Sequence, residues 1–247
     1  MADIKGGIAV SLEQVSVRFR VPHERIPSIK EYAIRHLRRR LRYEDFWALR
    51  GLDLTVGRNE VLGITGPNGS GKSTLLKVVA RVLRPTTGRV RVWGRVAPLL
   101  ELSAGFDIEL TGRENVYLAG ATLGFGRRDV DGRLGRIVEF AGLGEFIDAP
   151  LRTYSSGMMA RLGFAVATDV QPDLLLLDEV LSVGDAAFRE KSLARIRGFM
   201  ENGSATLLVS HSYEMLQRLC NRVIVLREGQ IVQSGSPAEV FAEDVRV

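Results

Sequence analysis

The segment "GPNGSGKST", residues 66 to 74, constrains this chain more than any other. It fits the spacing G-x-x-x-x-G-K-[ST] from Gly66 to Ser73, and its flanks agree with it. "EVLGIT" before it reads as an apolar strand, and "STLLKVVARVL" after it reads as a helix stopped by Pro85. Glycines at 66, 69 and 71 let the backbone wrap closely so that successive N–H groups point inward, and the helix N-terminus favours an anion. Pro67, Asn68, Ser70 and Thr74 complete the loop. Lys72 is expected to reach the outer phosphates of a nucleoside triphosphate, and the Ser73 hydroxyl to ligand Mg²⁺.

A strand, a phosphate-binding turn and a helix demand a parallel α/β sheet, and the rest of the chain is patterned for one. Apolar strands alternate with helical stretches to the end, with no internal repeat or low-complexity tract. "IAVSLEQVSVRFRV" alternates as an early strand or hairpin arm, and "ALRGLDLTVGRNEVLGIT" returns to that pattern around a turn at 57–59. Between them, Ile26, Ile29, Ala33, Leu37 and Leu41 fall on one face of an expected helix spanning Pro22 to Asp45. Near the C-terminus, Ser236 and Pro237 suit the N-cap and first turn of a helix.

With 247 residues, the chain is long enough for a sizeable core, and 45% hydrophobic with 26% charged residues is ordinary globular composition. No apolar run approaches the roughly 20 residues of a membrane span, and the N-terminus lacks a secretory pattern. The single Cys220 cannot form an internal disulfide, which fits a cytoplasmic chain. The net charge of +5 is concentrated in "RHLRRRLR", where five arginines lie between Arg35 and Arg42. The remainder is about neutral, which argues against a nucleic-acid partner.

Three further features belong with the loop. "LLLLDE", residues 174 to 179, is a strand-like run ending in two acids. Beside a phosphate-binding loop, Asp178 suits the Mg²⁺ shell and Glu179 suits the base that positions water, a role worth ~10²- to 10⁴-fold in rate. His211 follows another apolar strand, where it either caps a helix or hydrogen-bonds the γ-phosphate. Ser155, Ser156 and Gly157 open an apolar helix, either as a plain N-cap or as a second anion site. One subunit needs no second cradle, so the economical arrangement is a two-fold homodimer with two sandwiched ATP molecules, each Ser-Ser-Gly closing over the partner's γ-phosphate.

Together "GPNGSGKST", "YSSGMMARLGFAVA", "LLLLDE", "SVGDAAF" and "VSHS" resemble the nucleotide-binding subunit of an ABC transporter, over nearly the whole chain. The resemblance implies an α/β fold in which a P-loop NTPase core of ABC type carries a β-subdomain and a helical signature subdomain. Domain organisation would be a single nucleotide-binding domain over 1–247, with a basic insertion at 21–45, a helical subdomain at about 100–168 and no C-terminal carbohydrate-binding domain. It implies Mg²⁺-dependent hydrolysis of ATP, a membrane permease partner, and a place on the cytoplasmic face of the inner membrane. Asp185 matches the D-loop acid. The adenine-stacking aromatic maps to Phe19, with Phe46 and Trp47 as alternates across the insertion. Glu101 stands where most members have a glutamine linking Mg²⁺ to the membrane subunit, and Ser156 and Met158 replace the common signature's glycine and glutamine.

"LLELSAGFDIELTGRENVYLAG" and "DEVLSVGDAAFREKS" resemble the branch that exports O-antigen, teichoic acid and related lipid-linked polysaccharides. In that setting the arginines of 35–42 either meet lipid or pyrophosphate groups or form a solvated or docking face. An importer subunit, a soluble ABC-type ATPase and a silent regulatory subunit are the rival readings. The signature variant and insertion weigh against the first. A single cassette without a long coiled coil weighs against the second. Intact Lys72, Asp178, Glu179 and His211 weigh against the third.

Overall fold

A computed structural model describes residues 7–22, 43–100, 102, 105–178 and 184–242. Two sheets form its frame. Strands β1 (Ile8–Pro22), β2 (Tyr43–Gly57) and β4 (Thr87–Val92) make an antiparallel sheet in the order β2-β1-β4. In β1 the buried positions switch from even (Val10, Leu12) to odd (Val15, Val17), which a strict period of two forbids. A bulge at Gln14 resolves the conflict. Its φ is 49°, and its N–H donates to Asp53 Oδ1 at 2.7 Å.

The second sheet has six strands in the order β5-β6-β7-β3-β8-β9. These are β3 (Val61–Thr65), β5 (Val96–Leu99), β6 (Leu174–Asp178), β7 (Ala205–Val209), β8 (Arg222–Arg227) and β9 (Gln230–Gly235). All neighbours are parallel except β8 and β9. The four leucines of β6 are buried on both faces, as a parallel strand covered on each side requires. Leu174 and Leu176 join the core under the antiparallel sheet, while Leu175 and Leu177 join the core under the helices.

The helices are α1 (Lys72–Val79), α2 (Gly112–Thr122), α3 (Arg127–Ala141), α4 (Ser156–Ala167), α5 (Ala186–Glu201), α6 (Tyr213–Leu219) and α7 (Pro237–Ala242). Helix α2 starts with a capping box in which Thr111 Oγ1 accepts from Glu114 N–H and Glu114 Oε2 accepts from Thr111 N–H. The buried Asn115 pins the preceding turn, accepting from Asp107 N–H and donating to the Asp107 and Thr111 carbonyls. Ser236 and Glu239 form the corresponding reciprocal pair at the start of α7.

Two expected boundaries change. Helix α1 stops at Val79, well before Pro85, because Arg81 adopts left-handed backbone at φ 61° and its guanidinium donates to the Val92 carbonyl of β4. The helix expected from Pro22 to Asp45 gives way to strand at both of its ends, while residues 23–42, with its apolar pattern, lie outside the described residues. Val21 and Pro22 pair with Glu44 and Tyr43 in the β1–β2 ladder, and Asp45 pairs with Arg20. Asp45 also accepts from Arg18 at 2.9 Å, so ladder hydrogen bonds and charge pairing outcompete helix there. The arginines of 35–42 lie outside the described residues.

Candidate active site

Sheet register assembles the site. Ile64 of β3 pairs with Val209 of β7, which pairs with Asp178 of β6. The strands therefore end level, and the loop after β3, Asp178, and His211 two residues beyond β7 emerge at one edge. Ligands of open α/β sheets bind at the carboxyl ends of the strands, and these residues converge there.

The loop from Gly66 to Gly71 is shaped by close approaches. A Cβ at Gly66 (φ 143°) would lie 2.0 Å from the Leu226 carbonyl oxygen, and one at Gly71 (φ 106°) would lie 2.4 Å from the Ala48 carbonyl oxygen. Strand β8 of the six-stranded sheet thus presses on the start of the loop, and strand β2 of the antiparallel sheet on its end. Inside it, Lys72 is 7% exposed, and its Nζ donates to the Gly66 and Pro67 carbonyls at 2.9 Å each. The Ser70 hydroxyl is buried without a hydrogen-bond partner among the described residues.

A cleft of about 470 Å³ opens over the loop. Phe19, Phe46 and Ala48 form one wall; Asn68, Gly69, Gly71, Lys72, Ser73 and Thr74 form the floor; Asp178 and His211 close the far end. Gly66, Pro67, Asn68 and His211 also border an adjoining cavity of about 680 Å³ beside β8 and β9. Phe19 and its alternate Phe46 are direct cross-strand partners, and both line the cleft. Trp47 is not among the residues that line it, and the Arg18 guanidinium lies over the Trp47 ring at 5.4 Å. Ala48, which no motif marks, supplies both wall and carbonyl; only the tertiary contact with Gly71 reveals it.

The cleft fits ATP and Mg²⁺ on its own chemistry. An inward ammonium held by carbonyls, an orphaned buried hydroxyl and a backbone without Cβ atoms together suit a polyphosphate. Among the described residues, no group of three or more His, Cys, Asp or Glu converges as a metal cage. A Mg²⁺ at this cleft would be held by Ser73, Asp178 and substrate oxygens, as that ion prefers. Glu179 and Glu101 lie outside the described residues.

Ser155, Ser156 and Gly157 are not in this cleft. Ser155 caps α4, its hydroxyl accepting from Met158 N–H at 3.2 Å, while Met158 and Met159 pack against the helical core. Asp185 caps α5 by accepting from Phe188 N–H at 2.9 Å. Neither lines the subunit's own phosphate site.

Comparison with known proteins agrees with this geometry. The family model described as ABC transporter matches residues 49–182, more than half of the chain. The O-antigen export system ATP-binding protein RfbB of Klebsiella pneumoniae is 47% identical over 201 residues, covering 81% of this chain and 82% of that protein. RfbB of Myxococcus xanthus is 43% identical over 95% of this chain but only 55% of its own length. The teichoic acids export ATP-binding protein TagH of Enterococcus faecalis is 40% identical over 80% of this chain and 44% of its own. The dimeric post-hydrolysis structure of the cassette MJ0796 bound to ADP and Pi superposes with a TM-score of 0.72 at 21% identity, covering 92% of this chain and 98% of that one. With its phosphate loop, its level strand ends and its relatives in agreement, the chain belongs to the ABC transporter family, as an ATP-hydrolysing subunit.

Proposed function

We propose that this chain powers export of lipid-linked polysaccharide, of the O-antigen or teichoic acid type, as a two-fold homodimer with ATP held between its subunits. The observation that carries the dimer is the separation of Ser155–Gly157 from the subunit's own cleft. An anion-binding helix start beside a partner-facing acid completes a second subunit's site and not its own.

In that arrangement Lys72 holds the outer phosphates, and Ser73 and Asp178 would hold Mg²⁺, which would neutralise charge on the leaving phosphates. Glu179 orients and deprotonates the attacking water, and His211 hydrogen-bonds the γ-phosphate. Phe19 and Phe46 receive the adenine ring. Ser155, Ser156 and Gly157 contact the γ-phosphate bound by the partner, and Asp185 lies beside them.

In this reading the permease docks at an apolar groove of about 500 Å³ between the six-stranded sheet and the helical layer. Pro98, Leu100, Leu102, Phe106, Leu123 and Phe125 line it. Docking there holds the chain at the cytoplasmic membrane face. Among the described residues, no helix is long and apolar enough to cross a membrane.

The test is made in cells depleted of the chain. Lipid-linked polysaccharide is expected to accumulate inside and to clear on return of the wild type but not of Glu179→Gln. An intact surface glycan with no accumulation would remove the polysaccharide cargo and favour an import role.

A further inference from the structure

Helix α4 is fastened very differently at its two ends. At the C-terminal end, Asp169 is nearly buried and accepts from both Arg133 and Arg136 of α3, while Thr168 Oγ1 accepts from Arg195 of α5. At the N-terminal end, one side chain reaches across to α5. Arg161 lies about one and a half turns into α4, its Nη2 is 3.7 Å from Asp185 Oδ2, and its guanidinium lies 6.0 Å from the centre of the Phe188 ring.

This pair differs from an ordinary surface ion pair. At 3.7 Å it is beyond hydrogen-bond length, so the two groups are attracted without being locked. Arg161 Nε is buried with no hydrogen-bond partner among the described residues, an arrangement a native structure seldom leaves without a reason. Asp185 serves two partners. Its Oδ1 caps α5, and its Oδ2 faces Arg161. Gly184 lets the chain enter that cap at φ 77°, where a Cβ would lie 3.0 Å from the Phe188 ring. Arg161 therefore joins the helix that begins at Ser155-Ser156-Gly157 to the acid that begins α5.

We propose that Arg161 is a positioning residue that makes these two elements move as one body when ATP draws two subunits together. The inference rests on the reading of Ser155–Gly157 and Asp185 as partner-facing. It assigns Arg161 no contact with nucleotide. The guanidinium holds the α4 start against the α5 start through Asp185 and the Phe188 ring. The contacts at Asp169 and Thr168 hold the other end of α4 to α3 and α5.

The experiment uses the purified full chain with four variants: Arg161→Met, Arg161→Lys, Asp185→Asn, and Arg161→Met with Asp185→Asn. Asn keeps the capping oxygen while removing the charge. Wild-type turnover per subunit is expected to rise with protein concentration; if it does not, the dimer reading fails before Arg161 is tested. Given that dependence, Arg161→Met is expected to bind ATP to the isolated subunit within about twofold of wild type. It should melt near the wild-type temperature and lose roughly ten- to a hundredfold in turnover. The protein concentration for half-maximal activity should rise, Arg161→Lys should recover part of the loss, and the double variant should be no slower than the worse single variant. Unchanged turnover in Arg161→Met, or losses that multiply in the double variant, would overturn the positioning role. So would a loss accompanied by weaker ATP binding to the isolated subunit or by general unfolding.

Discussion

Phe19 and Phe46 stand directly opposite each other in the β1–β2 ladder, and both face the cleft over the phosphate-binding loop. Phe19 follows Val15 and Val17 along one face of β1, so the row that builds the core ends in an aromatic just beyond the core's edge. Both rings are partly exposed, at 39% and 52%, which leaves apolar surface for a planar base to cover.

Removing either ring should therefore weaken nucleotide binding. Base stacking is worth about 1–3 kcal/mol per aromatic, so Phe19→Ala and Phe46→Ala are each expected to raise the Kd for ATP roughly five- to a hundredfold. Trp47→Ala should leave it within about twofold, since that ring is engaged by Arg18. Because stacking is tolerant of base identity, GTP should bind nearly as well as ATP. Titration calorimetry with both nucleotides checks all three points.

Lys72→Met should abolish steady-state hydrolysis while leaving the fold intact. Under the proposed function, losing the ammonium removes the charge that would meet the outer phosphates, and comparable electrostatic deletions cost about 10²- to 10³-fold. Its present partners are the Gly66 and Pro67 carbonyls. Single-turnover hydrolysis with a circular dichroism control separates chemistry from folding. Chelating Mg²⁺ should give the same loss, reversibly.

The loop glycines should differ in tolerance. Gly71→Ala meets both left-handed strain and the Ala48 carbonyl at 2.4 Å, and should destabilise by about 2–5 kcal/mol. Gly69→Ala, at φ 77° with nothing within 4 Å of the added Cβ, should cost only the strain, about 1–2 kcal/mol. Urea unfolding of both variants without nucleotide measures the difference.

Cys220 should report global unfolding. Burial pushes its thiol up to about 12, against Leu216, Gly63 and Val223. The unfolded thiol titrates near ~8.5, so the folded state favours the protonated form. That contribution to stability is complete below pH ~8.5 and is lost as pH rises toward about 12. At pH 8 the native chain should resist iodoacetamide, and alkylation should begin only as denaturant unfolds it. Rapid labelling of the native protein would contradict the burial.

The chemistry written in short segments was legible from residues alone. A glycine-rich turn with Lys72 and Ser73 needs only its neighbours to be recognised, and four leucines ending at Asp178 describe a strand covered on both faces. Local pattern failed where distant partners decided. Arg81 ended α1 early by reaching Val92, and the ladder with β1 claimed Tyr43 to Asp45 from an expected helix. No spacing rule places Phe19 against Phe46, Ala48 against Gly71, or Arg161 against Asp185, since each pair is brought together by sheet register or helix packing. The sequence by itself determined which groups can hold a triphosphate, because backbone freedom, charge and hydroxyl chemistry are local properties. Only the tertiary structure decided which aromatics line the cleft and that Ser155–Gly157 stands apart from it, because those follow from how strands align and helices pack.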